Sequence, residues 1–108
     1  MSDIVKIIGS ESEFESITKS GVVLVDFFAT WCAPCRKQTL ILDQVAGVVG
    51  AGAIIAKADT DNLQSLAAEY GIEQIPTLIL FKDGAVVERF TGVQQATTLQ
   101  DAIAKAAS

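Results

Sequence analysis

The chain has 108 residues, half of them apolar, a formal net charge of −5 and no histidine. One domain, residues 1–108, fits that length, and the apolar share can close a core without metals or many disulfides. Acidic residues scattered without a basic patch argue against nucleic-acid or anionic-membrane binding, the lack of histidine removes Ser-His-Asp and Cys-His hydrolases, and two cysteines cannot complete a zinc tetrahedron within one chain.

Ile4 to Ile8 is a short apolar run that predicts a strand. No basic n-region, long apolar stretch or cleavage site accompanies Met1–Lys6, and no apolar run approaches the ~20 residues of a membrane span, so a cytoplasmic protein is expected. Ser10 to Glu13 fits a capping box, with Phe14 and Ile17 on one helical face behind it. Val22 to Phe28 is apolar on both alternating faces except at Asp26, which predicts an interior strand covered by helices on both sides. A helix from Pro34 to about Val49 follows, with a stripe of Ile41, Leu42, Val45, Val48 and Val49 and a stop at Gly50.

Ala53 to Ala58 reads as another buried strand. Thr60 or Asp61 caps a helix whose stripe is Leu63, Leu66, Ala67 and Tyr70, ended by Gly71. Thr77 to Phe81 and Ala85 to Phe90 flank Lys82-Asp83-Gly84, a hairpin signal. A second capping box, Thr97 to Gln100, opens a C-terminal helix with Leu99, Ala102, Ile103 and Ala106 on its apolar face. The order β-α-β-α-β-α-β-β-α demands parallel pairing with right-handed crossovers at the start and antiparallel pairing at the end. The sheet is therefore mixed and sandwiched by helices, in an order that periodicity does not determine.

Trp31-Cys32-Ala33-Pro34-Cys35 sits where a buried strand gives way to a helix. Helix N-termini carry unpaired N–H groups and partial positive charge, so a thiol at Cys32 should ionise more easily than a free one. Spacing across the first turn lets the thiols meet, and Pro34 fits there because its missing N–H costs nothing. The geometry suits a two-step exchange in which Cys32 attacks a disulfide and Cys35 resolves the mixed disulfide. Half a zinc site lacks ligands, a structural disulfide closing so short a loop adds little stability, and unrelated core cysteines do not explain the flanking Trp and Pro. Asp26, inside an apolar run, should be partly desolvated with a raised pKa; it is either a base near the thiols or a carboxylate facing water at a frayed strand end. Lys57 falls on a neighbouring strand, where it either pairs with Asp26 or lies at the surface with a buried stem.

From Phe28 to Cys35 the chain resembles the thioredoxin family, and the resemblance runs over almost its whole length. Val25-Asp26-Phe27, Lys57-Ala58-Asp59, Tyr70-Gly71-Ile72, Ile75-Pro76-Thr77, Phe81-Lys82-Asp83-Gly84 and Gly92 all fall at family-like spacings. The resemblance implies an α/β thioredoxin fold, a central five-stranded mixed sheet with four flanking helices. It implies a monomer that reduces disulfide-containing client proteins with no bound cofactor and no metal, recharged from NADPH by a thioredoxin reductase. It favours the catalytic role for Asp26 and a cis Ile75–Pro76 bond facing the cysteines. It also matches Trp31, Ala33, Pro34, Ile75, Pro76, Gly92 and Val93 to a substrate groove, although Ile75 and Val93 would serve equally as core residues.

Three departures stand out. Ala33 replaces the usual glycine, which affects redox poise rather than chemistry, since ~1.4 kcal/mol corresponds to ~30 mV. Phe28 replaces a common tryptophan and removes an indole donor. Leu40 replaces a helix-kinking proline, so the long helix should be straighter. The rival functions are an oxidase or isomerase with a less negative potential, a non-catalytic binding subunit of the same fold, and a dimer sharing an iron–sulfur cluster between two cysteine pairs.

Overall fold

The computed structural model describes residues 4–108. The first three residues, read above as part of a segment without a secretion signal, lie outside the described residues. Five strands, β1 (Val5–Ile8), β2 (Val22–Phe28), β3 (Ile54–Asp59), β4 (Thr77–Lys82) and β5 (Ala85–Thr91), form one sheet in the order β1-β3-β2-β4-β5. Helices α1 (Glu11–Thr18), α2 (Ala33–Val49), α3 (Gln64–Glu69) and α4 (Ala96–Ala107) cover it, and a short 3-10 turn at Gly50–Gly52 leads into β3. β2 is central, parallel to β3 and antiparallel to β4. Its two apolar faces explain that place: Val23, Val25 and Phe27 pack with Phe14, Leu66 and Phe81 under α1 and α3. Leu24 faces the opposite layer, with Leu42, Val45, Leu78, Leu99 and Ile103 under α2 and α4. Asp26 shares the face of Leu24, because strand side chains alternate.

The hairpin forms as the sequence predicts. Asp83 and Gly84 both take positive φ, 51° and 86°, the pairing that a two-residue turn between twisted strands requires. The first capping box also forms, with Ser10 Oγ accepting the Glu13 N–H at 3.1 Å. Its reciprocal bond reaches one residue further back than expected, from Gly9 N–H to Glu13 Oε1 at 2.8 Å.

Other expectations need correction. Neither Thr60 nor Asp61 caps α3, which starts behind Leu63 with no side-chain cap. Asp59 organises that turn instead: its carboxylate accepts the Asp61 N–H and its carbonyl accepts the Leu63 N–H, both at 2.9 Å. Thr60 and Asp61 are drawn to the active-site side, to the Phe28 carbonyl and the Trp31 indole. The second capping box does not form either, because α4 begins at Ala96, ahead of Thr97, and has no side-chain cap. Val48, assigned to the buried stripe of α2, is exposed beside α4. Past Leu40 the helix α2 continues to Val49.

Candidate active site

The end of β2 delivers Phe28 and Ala29 to a turn that holds Trp31 at the surface, and α2 then starts at Ala33. Cys32 is the N-cap of α2, with extended backbone and its sulfur in the place a serine or aspartate oxygen would take. The Cys35 N–H donates to Cys32 Sγ at 3.2 Å. Charge on that sulfur therefore meets an N–H and the positive end of a 17-residue helix. The two cysteines are joined as a disulfide with Cα atoms 5.2 Å apart. Cys35 is the more deeply buried, at 1% exposure against 5% for Cys32.

Ile75, before β4, closes the site from the opposite side. The Ile75–Pro76 bond is cis, and the Ile75 carbonyl lies 3.8 Å from Cys32 Sγ. The Gly92 N–H donates to the Pro76 carbonyl at 2.8 Å, which ties the loop after β5 to the same edge. Trp31, Ala33 and Pro34 are exposed, Ile75, Gly92 and Val93 are half-buried, and Pro76 is buried. Neither Ile75 nor Val93 is thus a fully enclosed core residue. The indole of Trp31 is 69% exposed yet anchored, with Nε1 donating to Asp61 Oδ2 at 2.9 Å.

Asp26 is fully buried, not at a frayed strand end. Burial pushes its pKa up to about 7, against a smaller opposing pull from the Lys57 ammonium. Lys57 is its register partner on β3, but of the two placements left open by the sequence the hydrogen-bonded pair with Asp26 does not form. Neither carboxylate oxygen of Asp26 accepts a hydrogen bond from a protein group. The Lys57 ammonium instead donates to Thr39 Oγ1 at 2.7 Å and lies 4.2 Å from the centre of the Phe28 ring. Phenylalanine in place of tryptophan thus leaves an aromatic face for a cation while removing the indole donor. A cavity of about 280 Å³ opens beside Cys35, lined by Phe28, Thr30, Arg36, Thr39 and Lys57 among others.

Two polar side chains of α2 escaped the sequence reading. Gln38 is fully buried and clamps the loop after β5, its amide oxygen accepting from Gln94 N–H at 2.7 Å and its Nε2 donating to Gln94 carbonyl at 3.1 Å. Thr39 joins Lys57 to the helix. Their signal was weak but present: consecutive uncharged polar residues stand where the helix turns inward, ahead of the apolar stripe. Among the described residues, no group of three or more His, Cys, Asp or Glu side chains is arranged to hold a metal ion.

The Thioredoxin family model matches residues 5–105. A thioredoxin of Staphylococcus epidermidis is 44% identical over 102 residues, spanning 94% of this chain and 96% of the relative. A thioredoxin of Staphylococcus aureus is 42% identical over the same shares of the two chains. Among solved structures, a mutant form of the thioredoxin from Halobacterium salinarum superposes with a TM-score of 0.90 at 36% identity, covering 98% of this chain and 93% of that one. The Malassezia sympodialis thioredoxin gives 0.87 at 31% identity, with coverage of 96% and 91%. A cysteine pair at the mouth of a helix, on a mixed sheet of this order and over a match of this extent, leaves one conclusion: the chain belongs to the thioredoxin family.

Proposed function

We propose that the protein reduces disulfides of client proteins through the Cys32–Cys35 pair, with Cys32 as nucleophile and Cys35 as resolving thiol. The observation that carries the order is the Cys35 N–H on Cys32 Sγ at the start of α2, which favours the thiolate at Cys32 over one at the more deeply buried Cys35. The Cys32 thiolate attacks one sulfur of the client, forming a mixed disulfide and releasing the other client sulfur as a thiolate. Cys35 then loses its proton and attacks Cys32 Sγ. That closes the Cys32–Cys35 disulfide, releases the second client thiolate, and moves two electrons from the protein to the client.

Asp26 is the base proposed for the Cys35 proton. A carboxyl whose pKa stands at about 7 is poised to exchange protons at neutral pH. Lys57 acts on Asp26 through space, and the exposed rim of Trp31, Ala33 and Pro34, with Ile75, Pro76, Gly92 and Val93 behind it, receives an extended client segment. The oxidised form is recharged by a thioredoxin reductase drawing on NADPH, in the cytoplasm, where such reductant is supplied. No helix among the described residues is long and apolar enough to cross a membrane.

Reduction of insulin disulfides with dithiothreitol as electron source tests the reading. Turnover well above background is expected, falling to background when Cys32 and Cys35 are both replaced by serine. Activity equal in wild type and double variant would refute it. A reduction potential far above about −270 mV, the established reference value for thioredoxin itself, would move the assignment to an oxidase or isomerase.

A further inference from the structure

Thr39 lies one turn beyond Cys35, and its hydroxyl does two things at once. It donates to the Cys35 carbonyl at 3.1 Å and accepts from the Lys57 ammonium at 2.7 Å. Together with the Phe28 ring, 4.2 Å away, it fixes that ammonium against the helix. Across the β2–β3 register from Lys57 stands Asp26, with both oxygens buried and no protein donor. Lysine beside a buried carboxylate ordinarily pairs with it, because each ion offsets the other's lost hydration. Here a hydroxyl and a ring hold the cation instead.

We propose that Thr39 is a positioning residue whose hydroxyl holds the Lys57 ammonium on α2 and away from the Asp26 carboxylate, keeping Asp26 free of an ion-pair partner. The neighbouring elements offer no substitute charge. On α2, Cys35 is in the disulfide, Arg36 is exposed and donates to the Thr30 carbonyl at 3.2 Å, Lys37 is exposed and Asp43 half-exposed. β4 presents Leu78 as the register partner of Asp26, and α4 contributes Leu99 and Ile103 to this layer, its Asp101 and Lys105 being exposed. Lys57 is the charge that acts on Asp26. Without the hydroxyl, the ammonium is free to turn to the carboxylate of its register partner Asp26, and a close opposite charge favours the ionised acid. The catalytic consequence rests on the reading of Asp26 as base for Cys35: a carboxylate locked in an ion pair would be a weaker base.

The test is an NMR titration of the Asp26 carboxyl carbon in the oxidised protein, for wild type, Thr39→Val, Thr39→Ser, Lys57→Met and the Thr39→Val/Lys57→Met double variant. Thr39→Val should move the midpoint to lower pH by about one unit or more. Thr39→Ser should restore it, and Thr39→Val should have no effect in the Lys57→Met background. Thr39→Ala, well suited to a helix, replaces valine should that variant fold poorly. An unchanged or raised midpoint overturns the proposal, as does an equal shift in the Lys57→Met background. The pH profile of insulin reduction is measured alongside. If the Asp26 midpoint falls but the activity profile stays in place, positioning by Thr39 stands and the reading of Asp26 as base fails.

Discussion

Cys32 and Cys35 differ by three positions in sequence, yet their surroundings make them chemically unequal. One caps a helix, takes an N–H on its sulfur and keeps 5% exposure; the other lies deeper behind it at 1% exposure. That inequality predicts which single variant traps a client. Cys35→Ser should accumulate a covalent mixed disulfide through Cys32, because attack proceeds and resolution does not, whereas Cys32→Ser should form none. Non-reducing electrophoresis after incubation with a disulfide-containing protein reads the difference, and equal trapping by both variants would contradict the order. This asymmetry was legible in the sequence, since Trp-Cys-Ala-Pro-Cys after a buried strand already placed the first cysteine at a helix start. Asp26 was legible for the same reason, a lone acid in an apolar run. Its relation to Lys57 was not. Alternation shows that two residues share a face of a sheet, but where a long flexible side chain ends is decided by the acceptors around it. Here those are Thr39 on α2 and the Phe28 ring two residues beyond Asp26 on β2.

The elements themselves followed from period and punctuation, and the misplaced caps fell at helix starts. Ser10 caps α1 because its hydroxyl has no competing partner beyond its own turn and Ser12. Thr60 and Asp61 bond instead to Phe28 and Trp31, 32 and 30 residues away in sequence, so tertiary contacts took residues that local chemistry would have used as caps. The β4–β5 turn shows the opposite case, a local requirement that nothing overrides. Gly84 adopts φ 86°, and a Cβ placed there would meet only the Lys19 backbone at an ordinary 3.7 Å. The cost of a side chain is therefore backbone strain and not collision. Gly84→Ala should lose about 1–2 kcal/mol, lowering the midpoint of thermal unfolding by several degrees, with exchange activity unchanged because the turn lies at the far end of β4 from Ile75. A thermal midpoint equal to wild type would show that the turn relaxes to another type.

At the scale of the whole molecule, the buried Asp26 carboxyl sets a conflict between stability and function. Its folded pKa of about 7 stands above the ordinary carboxyl value of 3.8, so between those values the folded protein holds a proton that the unfolded chain releases. Stability falls with rising pH wherever the native state binds more protons than the unfolded one. The contribution of Asp26 is therefore fully favourable below about pH 4, is lost progressively as pH rises through the folded pKa, and changes no further above it. Three pKa units correspond to about 4 kcal/mol at most, a large share of the ~5–15 kcal/mol that holds a domain of this size together. Asp26→Asn should abolish this dependence, since an amide has no proton to lose in that range. Denaturant unfolding of the oxidised proteins from pH 4 to pH 8 measures it: the stability of the variant relative to wild type should climb by a few kcal/mol across the window and level off near pH 8. Parallel curves would mean that Asp26 ionises in the fold as easily as in the unfolded chain, and would remove the physical basis for its role as a base. A carboxylate that destabilises the protein at the pH where it works is difficult to explain by packing alone. Any apolar side chain of similar size would serve the layer under α2 better, and under the proposed function the cost is the condition for a base close to neutrality.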